Sequence, residues 1–295
     1  MLVLVMLTAA CGPGRQAAWE KESSAKQQRA DGAGEAQADQ ATPLKDQATE
    51  AWEKREDRGQ LERAIALWEE ALRSEPESGT ILAKLSRAYY LLGDGYKRLA
   101  DEKDTMLPTL EKGVDYGERA MMAISPAFAA RVRGGEKVEK AVEAMGPEGL
   151  DAVYWYAANL GKFAAEKGFT TQLFYKDRLF AVMQRVLELD PTYFHAAPHR
   201  YFGAFYAKAP SFAGGDMTKS KEHFDKAVEN APGYLGTKVL YAEMYATKQD
   251  DKELFTRLLN EVKSADPSTL AEVTAENKVE QRKAERLLSR MDDLF

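Results

Sequence analysis

The sequence predicts an all-α chain built from short helix pairs, and three observations carry that expectation. From Pro43 onward, apolar residues recur at three- and four-residue spacing, the period of helices that bury one face. Gly and Pro fall between the periodic segments, where they stop helices, and no run alternates as a half-buried strand would. Five segments close alike, at Ala71–Pro76, Ala123–Pro126, Val186–Pro191, Ala227–Pro232 and Val262–Pro267. In each, an amphipathic helix reaches a polar stop, and a proline then opens the next helix, where its missing N–H costs nothing.

Those closings resemble the ends of tetratricopeptide repeats, whose period is about 34 residues. Pro232 and Pro267 lie 35 residues apart, and Pro191 and Pro232 lie 41 apart, which leaves room for an insertion. Counting back from the prolines, Ala64, Trp68 and Ala71 take small-large-small positions on a second helix, and Ser220, Phe224 and Ala227 do the same. Small residues let paired helices approach, and the large one fills the groove. Leu82, Leu85, Ser86 and Tyr89, with Gly93 in the turn, fit a first helix; Lys238, Tyr241, Ala242 and Tyr245 fit less closely. The expected architecture is an irregular tetratricopeptide-like helix-pair solenoid, closed by one charged capping helix over Leu270 to Leu294.

Composition narrows the function. The 295 residues carry 41 basic and 47 acidic side chains and a net charge of −6. No basic stripe is present to neutralise phosphates, which argues against a nucleic-acid partner. The single cysteine, Cys11, excludes a disulfide framework and a thiolate metal cluster. There is no phosphate-binding loop, no Gly-x-Ser-x-Gly elbow and no dinucleotide fingerprint. His195 and His199 lie four apart, but Pro198 interrupts them and the glutamate of a His-Glu-x-x-His site is missing. The expectation is a protein that is not an enzyme and takes no metal or cofactor.

The N-terminus reads as an address. Leu2 to Leu7 are uninterrupted apolar residues, followed by Thr8-Ala9-Ala10-Cys11-Gly12. The run is too short to span a membrane, which takes about 20 apolar residues. It resembles a bacterial lipobox, which implies a signal peptide over residues 1–10 and lipid attachment at Cys11 as the first mature residue. Thr8 stands where Leu is usual. No Lys or Arg precedes the apolar run and the first charge is Arg15, so translation is expected to begin upstream of Met1. Gly12, rather than Asp, implies delivery to the outer membrane. Residues 11–43 are polar, with Trp19 the only aromatic, and read as a flexible tether that leaves the orientation of a helical domain over 44–295 open.

Three further stretches carry a closer resemblance: Tyr154-Trp155-Tyr156-Ala157-Ala158-Asn159-Leu160-Gly161, Ala209 to Asp216 with Gly214-Gly215-Asp216 at its end, and the terminal Asp292-Asp293-Leu294-Phe295. With them the chain resembles the T component of tripartite ATP-independent periplasmic (TRAP) transporters. That resemblance implies a periplasmic lipoprotein that associates as a trimer and binds the solute-binding component of the transporter. It also implies passage of a hydrophobic or organic-acid ligand, and it brings no catalytic residue. The rival reading is a repeat-containing scaffold lipoprotein for envelope assembly or peptidoglycan machinery.

Candidate contact residues follow from the crowding of aromatics between Tyr154 and Phe212. Trp155, Tyr156, Asn159, Tyr201, Phe205 and Tyr206 are the candidates for a ligand or partner, in a groove with polar handles. The opposing reading gives them to core and subunit contacts. Gly214 and Gly215 permit positive φ in the insertion, and Asp216 is placed to cap the helix that begins at Met217.

Overall fold

The computed structural model describes residues 14–25 and 38–295. Cys11, the expected signal peptide over 1–10 and residues 26–37 of the expected tether lie outside the described residues. The described residues contain helices and no strand. In chain order the helices are α1 (Ala18–Ala25), α2 (Ala38–Glu53), α3 (Arg58–Ser74), α4 (Gly79–Tyr90), α5 (Lys103–Ile124), α6 (Pro126–Arg133) and α7 (Val138–Ala141). They continue with α8 (Leu150–Lys167), α9 (Phe169–Leu189), α10 (Tyr193–Lys208), α11 (Met217–Asn230), α12 (Leu235–Leu240), α13 (Lys252–Ser264), α14 (Thr274–Leu288) and α15 (Met291–Leu294). Helices α4 and α12 run on into π-helical stretches, Leu91–Lys97 and Tyr241–Ala246.

The local signals explain the elements. Asp57 caps α3, its carboxylate accepting the Gln60 N–H at 2.9 Å. The helix then buries Leu61, Ala64, Ile65, Trp68, Ala71 and Leu72, one stripe at helical spacing. Pro126 sits in the first turn of α6 behind the Ser125 cap, and Asp251 caps α13. Both small-large-small triplets are buried, Ala64, Trp68 and Ala71 on α3 and Ser220, Phe224 and Ala227 on α11.

The most extensive packing is α4 on α5, α2 on α3, α10 on α11 and α5 on α8, with α8 on α9 next. Two glycines set the closest approaches. The Ser86 hydroxyl donates to the Gly113 carbonyl at 2.8 Å between α4 and α5, and the Ser220 hydroxyl donates to the Gly203 carbonyl at 2.7 Å between α10 and α11. A Cβ at Gly203 would meet the Phe224 ring at 2.7 Å, and one at Gly113 would meet Asn159 at 2.2 Å. One apolar core runs through α1 to α10; a second joins Phe224, Leu235, Val239, Phe255, Leu258, Leu259, Val262 and Ala284.

Three expectations change. A solenoid repeat touches only its neighbours, whereas α14 packs on α12, on α13 and on the Leu91–Lys97 stretch far upstream. The single capping helix expected over Leu270 to Leu294 is broken. Leu270 is extended, packing into a small cluster with Ala231, Tyr234 and Val273, and α14 starts at Thr274. At the other end Asp292 and Asp293 would face the negative pole of a continued helix; a new short helix puts them in its first turn, where acids are favourable. Lastly, part of the expected tether is docked: Ala17, Ala18 and Trp19 are buried against α5 and α6.

Candidate functional site

The sequence candidates divide between two places. Trp155, Tyr156 and Asn159 of α8 are buried, with exposures of 3 %, 0 % and 0 %. The Asn159 amide donates to the Ser86 carbonyl at 2.9 Å and to the Trp155 carbonyl at 2.8 Å, and its Oδ1 side lies against Gly113. These three side chains frame the junction of α4, α5 and α8.

Tyr201, Phe205 and Tyr206 instead form a half-buried face along α10. Phe180 of α9 meets Phe202 and Phe205 edge-on at 5.2 and 5.3 Å, and Phe205 meets Tyr206 at 5.4 Å. His199 and His223 close the far side, with their Nδ1 atoms 2.9 Å apart. Burial lowers both imidazoles, and His223, with His199 beside it, is pushed down to about 4. His195 points elsewhere, stacked on Tyr234 at 5.1 Å. Among the described residues no group of three or more His, Cys, Asp or Glu could hold a metal.

The insertion lies at the end of this face. Gly214 is left-handed at φ 97°, and a Cβ at Gly215 would lie 1.8 Å from the Ala209 carbonyl oxygen. Asp216 caps α11, accepting the N–H groups of Thr218 and Lys219 at 3.0 and 3.1 Å. The loop carries Phe212, 82 % exposed, and its Gly214 borders the Phe205 ring. Beyond α11 a groove of about 650 Å³ opens between α11, the Tyr241–Ala246 stretch and α13. Its rim is of mixed charge, with Lys221, Asp225, Arg257 and Glu261.

Buried charges that the sequence did not reveal lie between the two cores. Arg200 is 7 % exposed, and its guanidinium donates to neutral acceptors, the His195 carbonyl at 3.0 Å and the Tyr154 hydroxyl at 3.3 Å, while it stacks over Tyr234 at 4.4 Å. Phe194, His195 and Ala196 beside it are left-handed, a costly conformation for residues with a Cβ. A desolvated guanidinium among neutral partners suits an anion. Asp94 is the opposite case. It sits in the Leu91–Lys97 stretch and contacts Lys283 at 2.8 Å, Arg98 at 2.9 Å and Lys162 at 3.0 Å. Burial would raise its carboxyl, but the three cations hold it well below the usual range.

The described residues thus form a helical body with a half-open aromatic face along α10. Residues 102–295 match the family described as TRAP transporter T-component, and the chain belongs to that family. It is therefore an accessory protein of a TRAP transport system, on the periplasmic side. No described helix is long and apolar enough to cross a membrane. The chain matches no curated protein.

Proposed function

We propose that the chain is a lipid-anchored accessory protein, acylated at Cys11 and held at the outer membrane, that binds the solute-binding component of its transporter. The observation that carries this reading is the family match over residues 102–295. The contact surface in this proposal is Tyr201, Phe205 and Tyr206, extended by Phe212. Large aromatics that are already half-ordered bury much area on association at little entropic cost, which is why they dominate binding energies at interfaces. Trp155, Tyr156 and Asn159 serve as the frame that holds α8 behind it. Arg200, desolvated among tyrosines, supplies the polar handle for an organic-acid ligand in transit, and assembly as a trimer belongs to the same reading.

The test is co-purification of the full chain with TRAP solute-binding proteins from the same genome. Phe205→Ser combined with Phe212→Ser weakens the complex at least tenfold, roughly the loss of one interface anchor, with the circular dichroism unchanged. If the double variant binds like wild type, this face is not the contact. If the wild-type chain binds no solute-binding protein, the accessory role is not exercised through that component.

A further inference from the structure

The N-terminal segment leaves the body at a fixed point. The Arg15 side chain, 5 % exposed, is clamped by Glu118 at 2.6 Å, with Asp115 and Glu111 each at 3.6 Å. Its backbone N–H donates to the Tyr175 hydroxyl at 2.8 Å, and the Ala18 N–H donates to the second Glu118 oxygen at 2.8 Å. Trp19 then meets Phe128 edge-on at 6.1 Å. Gly14 lies against the Phe174 ring, which a Cβ there would meet at 2.8 Å. The chain is thus pinned against α9. Cys11 is only three residues upstream of Gly14 in the sequence, and three residues of chain reach at most about 11 Å.

At this exit α9 turns apolar side chains outward. Phe169, Leu173 and Phe174 are 59 %, 47 % and 53 % exposed. They are three of the four large apolar side chains that stand exposed among the described residues, and the fourth, Phe212, belongs to the insertion. Gly168, at φ 103°, makes the turn that starts α9 at Phe169. In the next turn Lys176 and Asp177 pair at 3.3 Å, so these two neighbours add no net charge to the patch. A surface of this kind partitions into the boundary between headgroups and acyl chains through apolar area, without needing anionic lipid.

We infer that the Phe169–Leu173–Phe174 edge of α9 is a membrane-seating surface, inserted at the lipid interface around acylated Cys11, and that the docked segment from Gly14 to Trp19 fixes the orientation of the body on the bilayer. This rests on the lipid-anchor reading of Cys11. The anchor supplies residence at the membrane, and the clamp at Arg15 allows one edge of the body to reach it. A free tether would instead let any face approach.

The test uses the full chain purified from membranes and reconstituted in phosphatidylcholine vesicles with brominated acyl chains. Leu173→Trp reports from the patch and Lys248→Trp from an exposed turn by the second core. Each signal is taken as the difference from the same chain without the added tryptophan, the clamp variant included, because Trp19 moves with the released segment. The expected result is at least twofold quenching of the Leu173→Trp signal and none of the Lys248→Trp signal. Adding Arg15→Ala and Glu118→Gln brings the Leu173→Trp quenching down to the control level. The mass of the same sample reports acylation. If Cys11 carries no acyl group, the anchor reading fails by itself, and coupling the same variants through the Cys11 thiol to a maleimide lipid tests the patch directly. Equal quenching at the two positions overturns the proposal. So does a position-173 probe shielded from both brominated lipid and aqueous acrylamide, which would mean that a second copy covers the patch. Quenching that survives release of the clamp overturns the fixed orientation.

Discussion

Both ends of the described chain are fastened to the body by buried charges, and the two fastenings have opposite electrostatic balance. At the C-terminal end, α14 brings Lys283 to Asp94 and Glu276 to Arg55 and Arg87. Cations outnumber acids there. Burial alone would raise both carboxyls, yet Asp94 and Glu276 are held below the usual range. At the N-terminal end Glu118 faces one close guanidinium, that of Arg15, with Asp115 adding negative charge. Burial wins, and its carboxyl is pushed up to about 7. The number of counter-cations, rather than the depth of burial, decides which acid stays ionised. The first fastening joins distant parts of the body, whereas the second holds a short segment with little core of its own.

The largest effect is expected from breaking the α14 fastening. Asp94→Ala removes the carboxylate shared by Lys162, Lys283 and Arg98. Lys283 keeps Glu280 and Arg98 keeps Glu166, so the loss falls at the lower end of the about 3–5 kcal/mol that breaking a buried pair costs. Urea unfolding should show that loss in the midpoint with the slope unchanged. A shift under about 1 kcal/mol would mean that water already reaches the cluster, and the contrast between the two ends would disappear.

Next comes close packing. Gly203→Ala forces a methyl toward Phe224 at under 3 Å, an overpacking worth about 1–3 kcal/mol. It separates α10 from α11 and leaves the N-terminal fastening untouched. Hydrogen exchange should therefore rise in α11 and not around residues 15–21. Arg15→Ala should do the reverse, since the released segment becomes solvated and relieves part of the cost. Its global destabilisation is about 1–2 kcal/mol, less than that of a buried pair broken inside a rigid core.

These expectations follow the line between what the sequence announced and what it concealed. The buried stripe of α3 and the triplets around Trp68 and Phe224 were legible, because helical period and residue size are local properties of the chain. The aromatic crowding was legible too, although not its division into a buried frame at Trp155 and a half-open face at Tyr201 and Phe205. That division depends on which helix packs over which. The fastenings were not legible at all. Arg15 meets Glu118 across 103 residues, and Arg55 meets Glu276 across 221, so no spacing rule connects them. Trp19, alone among polar neighbours in the expected tether, was the one local hint that this segment docks. The left-handed run Phe194–Ala196 carries no glycine that would have marked it.

The smallest effect sharpens the comparison most, because its sign differs between the two ends. Glu118 has a folded pKa near 7, above its ordinary 4.5, so the folded chain takes up a proton between those values relative to the unfolded one. Stability from this group is greatest below pH 4.5 and declines as pH rises toward 7, after which it levels off. Asp94 and Glu276 behave conversely: their contribution is present above the ordinary carboxylate range and is lost only in more acidic solution, as pH falls through their depressed values. Between pH 5 and 8 Glu118 should therefore supply a pH dependence of global stability, with Asp115, Glu111, Tyr156, Tyr175 and Arg178 as the surrounding charged and titratable groups. The urea midpoint, followed over that range, should fall with rising pH in the wild-type chain. In Glu118→Gln, which cannot titrate, the profile should be flat while exchange protection of α14 is unchanged. A wild-type profile that rises instead would mean that Arg15 outweighs burial at Glu118, and that both ends are held by the same balance.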